Sequence, residues 1–363
     1  MADVAQLAGV SLKTVSRVVN NVPTVDPAIA GRVYAAIAEL GFRRNDMARN
    51  LRSHSTSATV GLLIEDIANP FYSTIAAAAA QIALTRQTML IAASSEEDAD
   101  RERRLLIDMC ERRVDGLLVV PAGVDHTYLR AEIKMGTHVV FLDRPPTNLR
   151  ADTVLIDNAQ GARDAIVHLV GQGHERIGLL ADSLGIYTMR ERLSAAEAAL
   201  EHADIRYHPH LVRDGLHDQD DIEAAVAEML ESAQPPTALF CLNNRLTLGA
   251  LSALNRTASA IPIVGFDDFE TAGLMPVPVT VVSYDAREIG RIGAELLFKR
   301  IDGDQSRPTT VVIPTRLVDR SAGREGQPRN VPTGAPWKAV GRANTDPASG
   351  SRSGEIPSAA DVM

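Results

Sequence analysis

Cysteine is nearly absent from these 363 residues: Cys110 and Cys241 are the only two, and they lie far apart. That usage excludes a disulfide framework and a thiolate metal site, and it suits a reducing compartment. Aromatic residues make up only 4% of the chain, and the one tryptophan, Trp337, stands near the C-terminal end. No indole platform for a ring-shaped ligand is therefore expected within the body of the protein. No apolar run approaches the roughly 18 residues that a membrane-spanning helix needs, and the first helical stretch is too polar for a secretory signal. Positive charge is also in deficit, with 37 Lys and Arg against 46 Asp and Glu, a net of -9. What is present, at 45% hydrophobic content, is ordinary globular composition on a length that suggests two or three domains.

The scarce positive charge is not spread evenly. Residues 1–57 hold 7 Lys and Arg against 4 acids, so the acidity lies downstream and only the first segment would attract a polyanion. Within it, residues 2–8 read as a short helix with Val4, Ala5 and Ala8 on one side. Gly9 permits a sharp turn, and Ser11 is a good N-cap for a second helix. There Val15 and Val18 face inward, while Leu12, Lys13, Thr14, Ser16 and Arg17 are available outward, with Asn20 near the end. Asp26-Pro27 announces a third helix whose inward residues are expected to be Val33, Ile37 and Leu40, with Gly41 stopping it. This is the helix-turn-helix pattern, whose second helix presents its first residues to base edges in the major groove. The blander reading, a small helical cap with solvated Lys13 and Arg17, is the usual one for an isolated helix pair.

Here the match is longer. "DVAQLAGVSLKTVSRVVN" resembles the opening of the lactose-repressor/galactose-repressor family of bacterial transcription regulators, and the resemblance continues to about Arg320. It implies a helix-turn-helix head over 1–44, a hinge helix and linker over 45–57, an effector-binding and dimerising core over 58–320, and a tail over 321–363. In the family the hinge helix forms as a dimer grips a roughly palindromic operator, and a leucine enters the minor groove, where an apolar wedge kinks the duplex. Leu51 matches that leucine, with Ala48 on the same face. A helix as short as the one Asn45 would cap is marginal alone. Relatives usually carry several residues before the aspartate matching Asp3, so the first helix is expected to lack a side-chain cap, with some loss of operator affinity.

From Ala58 onward, short apolar runs ("ATVGLLI", "TMLIAAS", "DGLLVVP", "HVVFLD", "TVLID") alternate with helical stretches beginning near Phe71, Ala99 and Asp125. A second series ("RIGLLAD", "TALFCLN", "IPIVGFDD") alternates with helices near 188–203, 219–232 and 244–256, and "VTVVSYD" and "TTVVIPT" close the order. Such runs predict parallel sheets covered on both faces. The expected fold is thus a small all-α helix-turn-helix head plus an α/β core of two doubly wound parallel-sheet subdomains. The family's core resembles periplasmic sugar-binding proteins, with ligand between the lobes.

Ligand loops of such sheets lie at strand C-termini. The resemblance narrows these to Phe71 and Tyr72 in "IANPFY", Asp143 in "FLDR", Tyr187 and Arg192 in "SLGIYTMRERL", Asn243 in "CLNNR" and Asp267 in "VGFDD". Asp267 and Arg192 form the sharpest pair, an acceptor of ligand donors beside a rigid donor fork. The competing reading of that pair is an internal salt bridge, and that of Phe71 a core aromatic. Many relatives have Gly where Ala195 stands and Asp where Asn244 stands. A sugar or sugar derivative is the family's default effector, with a nucleobase the other option, and induction and corepression stay open.

"GQGHER" at 171–176 lacks the third glycine of a dinucleotide fingerprint, and Gly173 reads as a helix stop. His202, His208, His210 and His217 lack a metal-ligand spacing, so no metal, no cofactor and no catalysis are expected. The tail is rich in Pro, Gly and Ser and is expected to be disordered. It carries no leucine heptads, so the expectation is a homodimer. The protein is expected to be a cytoplasmic, effector-controlled DNA-binding regulator, most simply a repressor. The alternative is a sugar-binding module without functional DNA binding.

Overall fold

The computed structural model describes residues 1–19, 22, 24–42, 57–275, 279–320 and the backbone of 329–331. Its first three helices are α1 (Ala2–Ala8), α2 (Leu12–Val19) and α3 (Pro27–Glu39). Gly9 ends α1 with φ 62°, the left-handed conformation that the sharp turn requires. Asp26 caps α3 by accepting hydrogen bonds from the Ala28 and Ile29 amides at 2.8 and 3.3 Å. Val4, Ala5, Ala8, Val15, Val18, Val33 and Ala36 form the small core of this unit. Leu40 departs from expectation: it is exposed, because α3 ends at Glu39 and Leu40 is already its C-cap, with Ala36 filling the inward place.

Lobe 1 is a parallel sheet built from β1 (Thr59–Ile64), β2 (Met89–Ser94), β3 (Gly116–Val119), β4 (His138–Asp143) and β5 (Asp152–Ile156), joined by β11 (Thr310–Ile313). Its order is β11-β5-β4-β3-β1-β2. Residues alternate between two hydrophobic clusters: Val60, Leu62, Leu118, Val140 and Leu142 point into one, and Leu63, Leu117, Val119, Val139 and Phe141 into the other. The sheet is thereby covered on both faces, by α4 (Pro70–Thr85) and α11 (Ala286–Ile301) in the first cluster and α5 (Ala99–Glu111) in the second. A shorter α6 (Leu129–Lys134) starts four residues later than expected. Asp125 there accepts hydrogen bonds from the Thr127 amide and hydroxyl, a local turn that displaces the first helical turn. "TMLIAAS" also departs from the double-faced pattern: β2 is the sheet's edge strand, and Met89 and Ile91 are exposed.

Lobe 2 comprises β6 (Ile177–Leu180), β7 (Val212–Arg213), β8 (Ala238–Cys241), β9 (Ile263–Phe266), β10 (Thr280–Ser283) and β12 (Arg316–Asp319). Helix α7 (Asn158–Gly171) packs with α8 (Tyr187–His202), and α9 (Gln219–Glu231) with α10 (Asn244–Thr257). Strand order is β13-β12-β10-β9-β8-β6-β7, parallel except for the antiparallel β12 and β13 (Arg329–Val331). The expectation of a structureless tail is corrected at β13, whose backbone pairs with the otherwise open edge of β12; an unpaired ladder edge is a template for such addition. Both lobes repeat one strand order, and the chain passes between them at Asp157, at Tyr284–Asp285 and at Pro314–Thr315. In such sheets ligands bind outside the strand C-termini, at the point where strand order reverses. The C-terminal loops of both sheets line shared cavities.

Candidate functional site

In the head, Ser11 starts α2 by accepting a hydrogen bond from the Thr14 amide at 3.1 Å. Val15 and Val18 are buried, which turns Leu12, Lys13 and Arg17 to solvent and leaves Thr14 and Ser16 half-buried. Arg17 donates to the Thr24 hydroxyl at 2.7 Å, tying α2 to the turn before α3. Helix α1 has no side-chain cap at Met1. Asn20, Ala48 and Leu51, with nearly all of the hinge, lie outside the described residues.

The core has a cleft lined from both lobes. Its inner part, a cavity of about 40 Å³, is lined by Phe71, Tyr72, Asp143, Arg192, Asn243 and Asp267 among others. Tyr187 lines the wider mouth, a cavity of about 550 Å³. All seven effector candidates read from the sequence therefore face one cleft. Contacts that span it among the described residues include the Asn244 side-chain amide donating to Asn69 Oδ1 at 3.0 Å and Arg245 lying 3.6 Å from Asp66. The departure at Asn244 matters here, since a carboxylate in its place could not donate to Asn69.

Arg192 and Asp267 form an ion pair at 3.3 Å. Arg192 Nε donates to Asn158 Oδ1 at 2.8 Å, its Nη1 donates to the Leu242 carbonyl at 2.6 Å, and its guanidinium lies 3.6 Å from the centre of the Phe266 ring. Tyr284 donates its hydroxyl to Asp267 Oδ1 at 2.6 Å. Burial, and then the adjacent Asp267 charge, push the Tyr284 phenol well above its ordinary range. The propping role is thus visible for this pair. Asn243 Oδ1 caps α10 through the Leu246 amide at 2.8 Å. Phe71 is half-buried, tilted against Tyr72 at 4.7 Å and edge-on to Tyr284 at 5.8 Å.

A second charged cluster escaped the sequence reading. Arg144, buried beside Asp143, meets Glu65 at 2.7 Å, Glu97 at 2.5 Å and Asp143 at 3.4 Å. Tyr72 donates to Glu65 at 2.6 Å. Burial would raise the Glu65 carboxyl, but Arg144 and the neighbouring hydrogen bonds hold it below its ordinary value. Burial raises Glu97, against the pull of Arg144 and with the push of Glu65, to about 8. Asp143 is likewise raised by burial, partly offset by Arg144 and Arg192. The available signal was the "DR" at the end of β4; Glu97, in "SSEED", reads as a solvated charge run.

Of the four histidines, His217 faces the cleft and lies 3.1 Å from Asp182, while His208 and His210 stack edge-on at 5.4 Å. Among the described residues no group of three His, Cys, Asp or Glu is placed to hold a metal ion. Gly173, just past α7, has φ 87°, as a helix stop should. Cys110 and Cys241 are both buried and unpaired. Among the described residues no helix is long and apolar enough to cross a membrane.

Residues 1–45 match the family model for bacterial regulatory proteins, lacI family, and residues 166–322 match a periplasmic binding protein-like domain. The HTH-type transcriptional repressor PurR of Aliivibrio salmonicida is 30% identical over 305 residues, covering 82% of this chain and 91% of that protein. The chain belongs to the lacI family. This lacI-family protein is a DNA-binding transcription regulator with an effector-binding core, and not an enzyme. The ribose operon repressor of Haemophilus influenzae is also 30% identical, over 89% of this chain and 98% of its own length. Among solved structures, the Lac repressor dimer bound to operator and the anti-inducer ONPF superposes with a TM-score of 0.76 at 26% identity, covering 88% of this chain and 97% of that one.

Proposed function

We propose that this lacI-family regulator is a homodimeric repressor whose grip on a roughly palindromic operator is set by a small polyhydroxyl effector in the cleft. The observation that carries this reading is the pairing of an exposed polar face on α2 with a cleft lined by strand C-termini from both lobes. On it, residues 1–44 are the DNA-binding head, 45–57 the hinge, 58–320 the core and 321–363 the tail. Leu12, Lys13, Thr14, Ser16, Arg17 and Asn20 meet the major groove, and Ala48 and Leu51 the minor groove. Phe71, Tyr72, Asp143, Tyr187, Arg192, Asn243 and Asp267 meet the effector. Effector binding changes how the lobes sit, biases the hinge between ordered and disordered states, and so alters operator affinity. The protein acts in the cytoplasm, where its DNA target is.

Dimerisation is supported by apolar side chains left open on both lobes. Leu84 on α4 and Met89 and Ile91 on β2 are exposed. In lobe 2, Leu248, Leu251, Leu254, Ile261 and Met275 line an apolar cavity of about 620 Å³. The test is a mobility-shift titration on the DNA upstream of the coding sequence, with wild type and Arg17→Ala. Arg17→Ala should cost about 1–3 kcal/mol and relax preference at one base pair. A wild type that binds only nonspecifically, with a salt dependence and affinity unchanged on scrambled DNA, sinks this reading in favour of a ligand-binding module.

A further inference from the structure

Charge inside the cleft does not balance. Arg144 is faced by Glu65, Glu97 and Asp143, and Arg192 by Asp267, so four acids meet two guanidiniums, and three carboxylates still do when Glu97 is protonated. Glu96 is paired with Arg101 at 2.6 Å, and Asp66 with Arg245 at 3.6 Å. Arg190 gives its Nη1 to the carbonyls of Leu184 and Gly185, and Asp182 stands opposite His217.

Hydrogen bonding is lopsided in the same sense. Arg144 donates to Glu65, the Tyr72 hydroxyl and the Pro121 carbonyl, and Arg192 to Asn158, the Leu242 carbonyl and Asp267. Asp143 Oδ1 is buried with no hydrogen-bond donor, and Glu97 Oε1 lies against Arg144 with no aligned hydrogen bond. Asp143 and Glu97 moreover hold left-handed backbone, at φ 65° and 56°, on the two loops that bring them to Arg144. Buried polar atoms without partners are costly, and in this cluster they are two acceptors, Asp143 Oδ1 and Glu97 Oε1, against one donor, Arg144 Nε, which lies 3.4 Å from Asp143 Oδ2.

Taking this cleft as the effector site, we propose that its ligand carries a protonated amine on a hydroxylated frame, as an amino sugar or amino cyclitol does, with the ammonium between Asp143 and Glu97. An ammonium has three donors and no acceptor, and its charge offsets the surplus acid. A phosphate or carboxylate would meet this surplus of carboxylates, with Arg144 and Arg192 already ion-paired to them. A neutral hydroxyl donates to Asp143 but leaves the surplus charge buried. Glu97 is held protonated at neutral pH in the empty cleft by burial and by Glu65. An ammonium beside it favours the ionised form, so binding releases a proton.

The experiment is calorimetric titration of the full chain at pH 6.5, in two buffers of different ionisation heat. The ligands are neutral hexoses and pentoses, their amino-deoxy analogues, and their phosphates. The expected result is an amino compound binding about tenfold or more tighter than its neutral parent, no binding of phosphates, and a proton release that disappears in Glu97→Gln. A neutral parent that binds as tightly, a phosphate that binds, or the failure of every amine overturns the proposal. If a neutral sugar binds without amine preference and still changes operator affinity, only the amine fails and the effector reading stands. If a bound ligand is indifferent to both Asp143→Asn and Asp267→Asn, the cleft itself is not the effector site.

Discussion

Asp143 ends β4 and Asp267 follows β9, and both hold left-handed backbone, with φ of 65° and 73°. Such conformations cost of order 1–3 kcal/mol for a residue with a side chain, and the two lobes place them at matching strand ends. Their position at the end of an apolar run, narrowed by the family resemblance, made both legible in the sequence. Arg144 and Glu97 were not, because nothing in "DR" or "SSEED" says that the side chain turns inward. Asp267→Asn keeps an acceptor for the Tyr284 hydroxyl but removes the charge facing Arg192. It should weaken effector binding by about 1.5–3 kcal/mol and leave effector-free operator binding nearly unchanged. A variant that loses stability while ligand affinity per folded molecule is unaltered would show the pair to be only a prop. Glu97 makes a separate prediction about pH. Its ordinary value is 4.5 and its folded value about 8. Across that window the folded chain keeps a proton the unfolded chain has lost, so this group lowers stability progressively as pH rises. Glu97→Gln, which cannot ionise, should therefore raise the melting temperature by a few degrees at pH 8.5 and by much less at pH 4.5. Equal shifts at the two pH values in scanning calorimetry would contradict the assignment.

The elements themselves were mostly readable, since caps and apolar runs are local signals. Asp26-Pro27 opens α3, and "HVVFLD" and "RIGLLAD" become β4 and β6 as expected. What local pattern cannot carry is lobe membership. Helix α11 follows a strand of lobe 2 yet packs on α4 and on the strands of lobe 1, and β11 crosses with it. Strand β7 has two residues, too few to show any period. The α4–α11 contact depends on Gly290, where an added Cβ would collide with the Ile75 carbonyl oxygen and meet the Ala78 side chain. Backbone is on the other side of that contact, so no rotamer change relieves it. Gly290→Ala would gain roughly 0.8–1 kcal/mol in helix propensity, yet the net effect should be destabilising by ~1–3 kcal/mol because the two helices must separate. Chemical denaturation giving a variant as stable as the wild type would mean that α4 and α11 pack less closely than described.

Operator symmetry makes the largest-scale demand on this chain, because one head reads only one half-site. Whether a second copy is bound cannot be read from apolar patterning alone: β2 scans as an ordinary buried strand, and only its position at the sheet edge turns Met89 and Ile91 outward. An edge strand with exposed apolar side chains is an association site unless it is blunted by charge. Placing a charge there, as in Met89→Lys, should leave lobe 1 folded, since Met89 is 65% exposed and contributes little to the core. On the proposed homodimer, it should leave a monomer in sedimentation equilibrium. Operator affinity should then fall by about 10²-fold or more, because the second head no longer binds at the effective concentration its partner provides. Effector affinity should stay within the error of the wild-type value, since the cleft is lined by residues of one chain. A Met89→Lys protein that remains dimeric and grips its operator normally would move the interface away from β2, leaving the apolar cavity around Leu248 and Met275 as the surface to mutate next.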